Sequence, residues 1–228
     1  MKIGYYVIVL ISVSLWSQSN FEKAERLFLQ KQFVQAKPLL EQELRVRPND
    51  IKVTEYLGDI AGYQKEWDEA VFYYKKLKDK YPKTANYQFK FGGALGMKAK
   101  NSNKFKALGM IDDVKEAFET AARLDEKHIE TRWALVMLYI ELPGIIGGSE
   151  SKAQKYANEL MNLSKVDGYL AKGYIDVYFK RYEKAEINYK KAHQIGGSKV
   201  TFEKLYDLYL KKLKDKEKAL QLKKEYLN

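Results

Sequence analysis

No cysteine occurs anywhere in the 228 residues, which excludes disulfides, thiol catalysis, thiolate metal ligation and a lipidated cysteine. Histidine is nearly as scarce. His128 and His193 stand alone, and neither has a second histidine at the i+4 spacing that sets two imidazoles on one helix face. Both read as surface or boundary side chains. No serine sits in a nucleophile-elbow context, and the carboxylates are spread at ordinary helical density. No catalytic residue, metal or cofactor is therefore expected, and the chain reads as non-enzymatic. Arginine is rare too, with 6 against 35 lysines. Proteins that read nucleic acid favour the planar arginine fork, so a specific nucleic-acid partner is not expected. Four prolines and few Gly/Ser clusters leave no evident linker between domains.

What is present is lysine and aliphatic or aromatic periodicity. The net charge is +11 and 46% of residues are hydrophobic, the composition of a basic globular chain. A lysine excess spread along the chain reads first as a solvated helical surface and second as weak attraction to acidic surfaces. Met1–Ser19 is different: Lys2 precedes an apolar run over Ile3–Trp16, and Ser17-Gln18-Ser19 offers small residues at −3 and −1 of a cut before Asn20. That layout is a secretory signal peptide. The 14-residue run would span about 21 Å as a helix, short of the roughly 30 Å hydrocarbon core. An uncleaved anchor and a buried first helix are the alternatives.

The rest of the chain repeats. Leu57-Gly58, Trp67, Ala70, Tyr74 and Pro82 frame a pair of helices, and one period earlier the slots hold Ala24, Phe33, Ala36, Leu40 and Pro48. They recur as Gly173, Tyr182, Ala185 and Tyr189, and Ala219 lies one period after Ala185. A fixed period of about 34 residues, with small residues at two offsets, marks stacked helical hairpins. The small residues Gly58 and Ala70 are expected to face each other, letting the paired helices approach closely. The units are read as 20–50, 51–84, 85–128, 129–165, 166–199 and 200–228, forming one elongated domain. The charged last pair fits a solubilising cap.

Two hairpins exceed the period. In the third, Phe91-Gly92 occupies the first slots but Val114 arrives ten residues late. The extra length falls in Met97–Gly109, a segment carrying Lys98, Lys100, Lys104 and Lys106. Asp113 with Glu116 reads as a capping box restarting the helix. The insertion is either a basic flap, or a solvated loop or extended helix ends. In the fourth hairpin, Ala153 arrives five residues late, after Leu142-Pro143-Gly144-Ile145-Ile146-Gly147-Gly148-Ser149. Ser151 with Gln154 reads as the next capping box, and the isoleucines as tucked against the hairpin. The glycine pair is a weak candidate for offering N–H groups to an anion.

These framework residues resemble the tetratricopeptide repeat (TPR) family. The two lengthened hairpins resemble a group of exported bacterial TPR proteins, although Glu126 departs from the usual proline slot. The resemblance implies an all-α, right-handed superhelical solenoid of about six antiparallel helix pairs. It also implies a concave groove lined by Phe89, Met97, Trp133, Met137, Leu170, Tyr174 and Tyr178, with Trp133 and Tyr174 as first candidates for anchors. Packing between helices is the rival reading of those side chains. In the early units the same face takes Phe21, Glu25, Glu55 and Asp59, which lack the Lys and Asn of a carboxylate clamp. The function expected is an exported scaffold of the bacterial periplasm or cell envelope that binds a segment of a partner protein. The alternative is capture of an anionic envelope polymer or lipid headgroups by Lys98, Lys100, Lys104 and Lys106.

Overall fold

The computed structural model describes residues 20–227, so the expected signal peptide lies outside the described residues. Among these the architecture is all-α, with no strand. The elements run α1 (20–29), α2 (Phe33–Val46), α3 (Ile51–Gln64), α4 (Trp67–Lys80), α5 (Ala85–Lys100) and α6 (Lys104–Leu124). They continue as α7 (Ile129–Glu141), α8 (Glu150–Leu163), α9 (Lys165–Tyr178), α10 (Tyr182–Gly196), α11 (Lys199–Asp207) and α12 (Lys216–Leu227). A single 3₁₀ turn, Gly144–Ile146, precedes α8, and α11 runs on into a π-helical stretch, Leu208–Leu213. The helices gather into two compact units that divide between Leu124 and Asp125.

Short polar side chains start most of the helices. The Asp50 carboxylate accepts from Val53 N–H, and Ser149, Ser164 and Ser198 hydroxyls accept from the N–H three residues on. The His128 ring nitrogen does the same for Thr131, which places this histidine at the N-cap of α7. Each such bond satisfies one of the backbone donors that a helix start leaves open.

The turns of the plain hairpins share a conformation. Lys31, Lys65, Lys180 and Lys214 all lie in the left-handed region, with φ between 56° and 63°. At three of them the next N–H reaches back five residues: Gln32 to Leu27, Glu66 to Ala61 and Arg181 to Asp176. That bond closes the helix end in the manner of a Schellman turn. The lengthened hairpins end α5 and α7 differently, at Asn101 (φ −96°) and Leu142 (φ −72°).

Inside a hairpin the atoms nearest the glycine belong to an aromatic ring of the second helix, joined at Gly92 by the Ala117 methyl. Gly58 lies under the ring of Tyr74, Gly92 under Phe118, and Gly173 under Tyr189. An aromatic ring can lie flat on a helix only where no Cβ stands up. Ala70 is fully buried. In the first unit Ala24, Ala36, Leu40, Val53, Leu57 and Ile60 form a continuous apolar core. In the second, Leu170, Ala185, Tyr189, Leu205, Leu208 and Ala219 do so.

Both expected capping boxes are displaced. The third hairpin's second helix begins at Lys104, where the Asn103 side chain accepts from Lys106 N–H, so Asp113 sits well inside the helix. The insertion is therefore two extended helix ends joined by a tight turn, and not a flap. Helix α8 starts after Ser149, two residues before the serine assigned from sequence. In the loop ahead of it, Gly147 N–H donates to Gly144 and Gly148 N–H to Pro143, leaving neither for an anion. Ser149 N–H bonds back to the Tyr139 carbonyl. This closure turns Ile145 outward, 96% exposed, in place of the tucked position expected.

Candidate functional site

The first unit carries a shallow cleft of about 370 Å³ over α3, α4 and α5. Its apolar walls are Tyr63, Trp67, Phe89, Ala94 and Met97. The helical period explains the set: Phe89, Gly93 and Met97 recur every four residues along one face of α5. Gly93 keeps the middle of that face low, since nothing lies within 4 Å of where its Cβ would stand. Tyr63 is held by stacking on Phe33, with centroids 4.8 Å apart, and Phe89 leans on Phe118 at 6.0 Å.

The polar residues beneath the cleft are paired. Lys90 Nζ donates to both Asp59 oxygens at 2.7 and 2.9 Å and to Glu55 Oε1 at 2.7 Å. The Tyr74 hydroxyl donates to Asp59 Oδ1 at 2.6 Å. Burial and then the Asp59 charge push the Tyr74 phenol far up, so it remains a neutral donor. With Lys90 held by two carboxylates, the described residues of the cleft present no free base or nucleophile. The cleft thus has apolar walls over a floor of paired charges.

These pairings belong to a set of bonds that joins successive hairpins within each unit. In the first unit the Tyr56 hydroxyl donates to Glu25 at 2.7 Å, one repeat behind, as Lys90 does to Glu55 and Asp59. In the second, Trp133 Nε1–H donates to Asp167 at 2.8 Å and Tyr174 to Glu141 at 3.0 Å. The early acidic residues of the inner face thus bond repeats together.

The sequence-predicted groove residues separate accordingly. Phe89 and Met97 line the cleft of the first unit. Leu170 is a correction: it is only 7% exposed and packs with Tyr189 and Leu205, because the hairpins of the second unit close over it. Trp133 is half-buried against that core, its indole N–H already used. Tyr174 is likewise half-buried, and burial followed by the Glu141 charge raises its phenol. Met137 and Tyr178 are exposed, Tyr178 edge-on to Phe179. Of the four lysines assigned as a basic patch, Lys98 sits 2.6 Å from Asp68, while Lys100, Lys104 and Lys106 are exposed around the α5–α6 turn. Among the described residues no group of three or more His, Asp or Glu side chains could hold a metal ion.

Sequence reasoning misses Tyr63, Trp67 and Lys90. A signal exists for two of them: Tyr63 lies one period before Met97, and Trp67 reads from sequence only as a framework residue.

No protein-family model matches the sequence, and no curated protein matches it. Solved structures do. A thermophilic TPR protein of Thermus thermophilus, TTC0263, is 15% identical, with a TM-score of 0.65 over 87% of this chain and 97% of that one. A TPR protein of Parabacteroides merdae is 16% identical, with a TM-score of 0.67 over 92% of this chain and 78% of that one. YrrB, described as a TPR protein with an unusual peptide-binding site, is 15% identical, with a TM-score of 0.56 over 80% and 87%. The helix-pair repeat, the ring-on-glycine contact and these likenesses together give the chain the fold of a TPR protein.

Proposed function

We propose that this chain is a non-enzymatic protein-interaction scaffold that holds a partner segment in the cleft between Tyr63, Trp67, Phe89 and Met97. One observation carries the reading. The cleft exposes aromatic and methionine side chains, the usual anchors of peptide recognition, over a floor whose charged groups are already paired with one another. Such a floor penalises a strongly charged ligand group and accepts an apolar one accompanied by a backbone. The peptide-binding site described for YrrB, on the same fold, supports the reading. Export to a bacterial cell envelope is part of the proposal and rests on the residues of Met1–Ser19.

The test is affinity capture from an envelope extract with wild type, Met97→Glu and Met137→Glu, washed at low and high salt. The expected result is a protein retained by wild type and Met137→Glu at high salt and lost with Met97→Glu. Equal recovery with all three would remove the cleft from the binding surface.

A further inference from the structure

We propose that the tip of the α5–α6 hairpin docks on an anionic lipid surface, inserting Phe105 and Leu108 between headgroups while the surrounding lysines neutralise them. This site is separate from the cleft and does not depend on it. The hairpin is longer than its neighbours. The first ten residues of α6, Lys104–Asp113, contain no buried side chain, and the first buried one is Val114. About 15 Å of helix therefore projects past the core. Its two sides differ. Ala107, Met110 and Ile111 turn toward the protein and are partly covered. Phe105, 89% exposed, and Leu108, 48% exposed, share the opposite face at an i, i+3 spacing. Among the described residues almost nothing covers that phenyl ring.

Charge identifies what would cover it. From Lys80 to Ile111 the sequence holds seven lysines and no aspartate or glutamate. Lys90 is engaged away from the tip with Glu55 and Asp59, and Lys98 with Asp68. Lys104 and Lys106, the chain neighbours of Phe105, are exposed, Lys106 also bordering the inner flank of the hairpin. The nearest acid along the helix, Asp112, is 3.0 Å from Lys115. Glu66 and Glu69, which line the inner flank of the hairpin, are held by Lys37. The outward face is thus apolar at its centre and cationic at its rim, the pattern of an interfacial segment that lies on a membrane.

The shape favours lipid over a folded acidic partner. Phe105 stands on a convex end, which a protein could match only with a preformed pocket, whereas a fluid headgroup layer opens around it. The cations are lysines without an arginine, so they attract as point charges and impose no fixed acceptor geometry. Each basic residue near an anionic leaflet adds attraction that decays within a Debye length. No described helix is long and apolar enough to cross a membrane.

The absence of native cysteine makes the test direct. The full chain carrying Leu108→Cys is labelled with a polarity-sensitive fluorophore. It is titrated with phosphatidylcholine vesicles, alone or mixed in equal parts with phosphatidylglycerol. The proposal expects a blue shift only with the mixed vesicles. It expects at least about a tenfold loss of that response on adding Phe105→Asp. Adding Lys104→Glu and Lys106→Glu should cost a similar factor, reduced by salt. Vesicle binding with no change at position 108 would overturn the proposal, because another part of the chain would then be the contact. So would a response insensitive to Phe105→Asp, or one reproduced by polyglutamate, which would make the tip a simple polyanion contact.

Discussion

Gly58→Ala and Gly93→Ala are chemically the same change, in the same unit, inside two helices, yet the structure gives them opposite signs. A Cβ on Gly58 would stand 2.7 Å from Tyr74 Cε1 and 3.0 Å from Cδ1 and Cζ. The ring has nowhere to retreat. Its hydroxyl is tied to Asp59 at 2.6 Å, the Lys90 ammonium lies 5.6 Å from its centroid, and the side chain is buried. Overpacking of this kind costs about 1–3 kcal/mol. Alanine returns about 0.8–1.0 kcal/mol as a better helix former, which leaves a net loss of about 1 kcal/mol. At Gly93 nothing lies within 4 Å, so only the helix term applies and the variant gains about 0.8–1.0 kcal/mol. For a chain of this size 1 kcal/mol moves the midpoint by about 2–4 °C. The two variants should then melt roughly 4–8 °C apart, on either side of wild type. Calorimetry or circular dichroism of the three proteins in parallel measures this. If Gly58→Ala melts with or above Gly93→Ala, the ring-on-glycine contact does not limit the approach of α3 and α4.

Two further outcomes are expected. Trp133→Ala should lower stability by roughly 2–3 kcal/mol, since it empties a half-buried site and removes one of the two side-chain hydrogen bonds that Asp167 accepts. An unchanged melting midpoint would return Trp133 to the candidate binding anchors. Glu150 accepts from Arg181 at 2.7 Å, and that hydrogen bond holds its carboxyl below the usual 4.5. A depressed carboxyl stabilises the fold above its unfolded value and loses that contribution as pH falls through the folded one. Wild type should therefore melt above Glu150→Gln at pH 7, with the gap shrinking from about pH 4.5 downward. A gap that stays constant in acid would refute the ion pair's contribution.

The repeat was legible because it is written in residue size. Gly58, Ala70 and Tyr74 recur at one offset, and only close helix packing asks for small and aromatic residues at those places. What glycine does there was less legible, since spacing gives the face but not which neighbour lies on it. The length of the third hairpin could be counted from Val114. Its form could not, because Asn103 and Asp113 both satisfy a local rule for starting a helix. The first prevailed: the residues between them, Lys104 to Asp112, include good helix formers such as Ala107 and Leu108, and their inner side finds partial cover. The cleft divides in the same way. Phe89 and Met97 could be placed from the period, but the paired charges of the floor could not. Lys90 finds its partners 31 and 35 residues back along the chain, a relation that exists only once the hairpins stack. Leu170 shows the converse, an apolar residue at a groove offset that its own core covers.

The four left-handed lysines have a consequence for how this chain could change. Each occupies a backbone shape in which a side-chain-bearing residue is strained and glycine or asparagine is at ease. Relief at each turn is worth a few tenths to about 1 kcal/mol, and asparagine avoids the extra unfolded-state freedom that glycine brings. Lys31 and Lys65 stand one repeat apart, as do Lys180 and Lys214, so the gains would be close to additive. Homologues or engineered variants can thus gain thermal tolerance turn by turn while the cleft and the hairpin tip keep their present form.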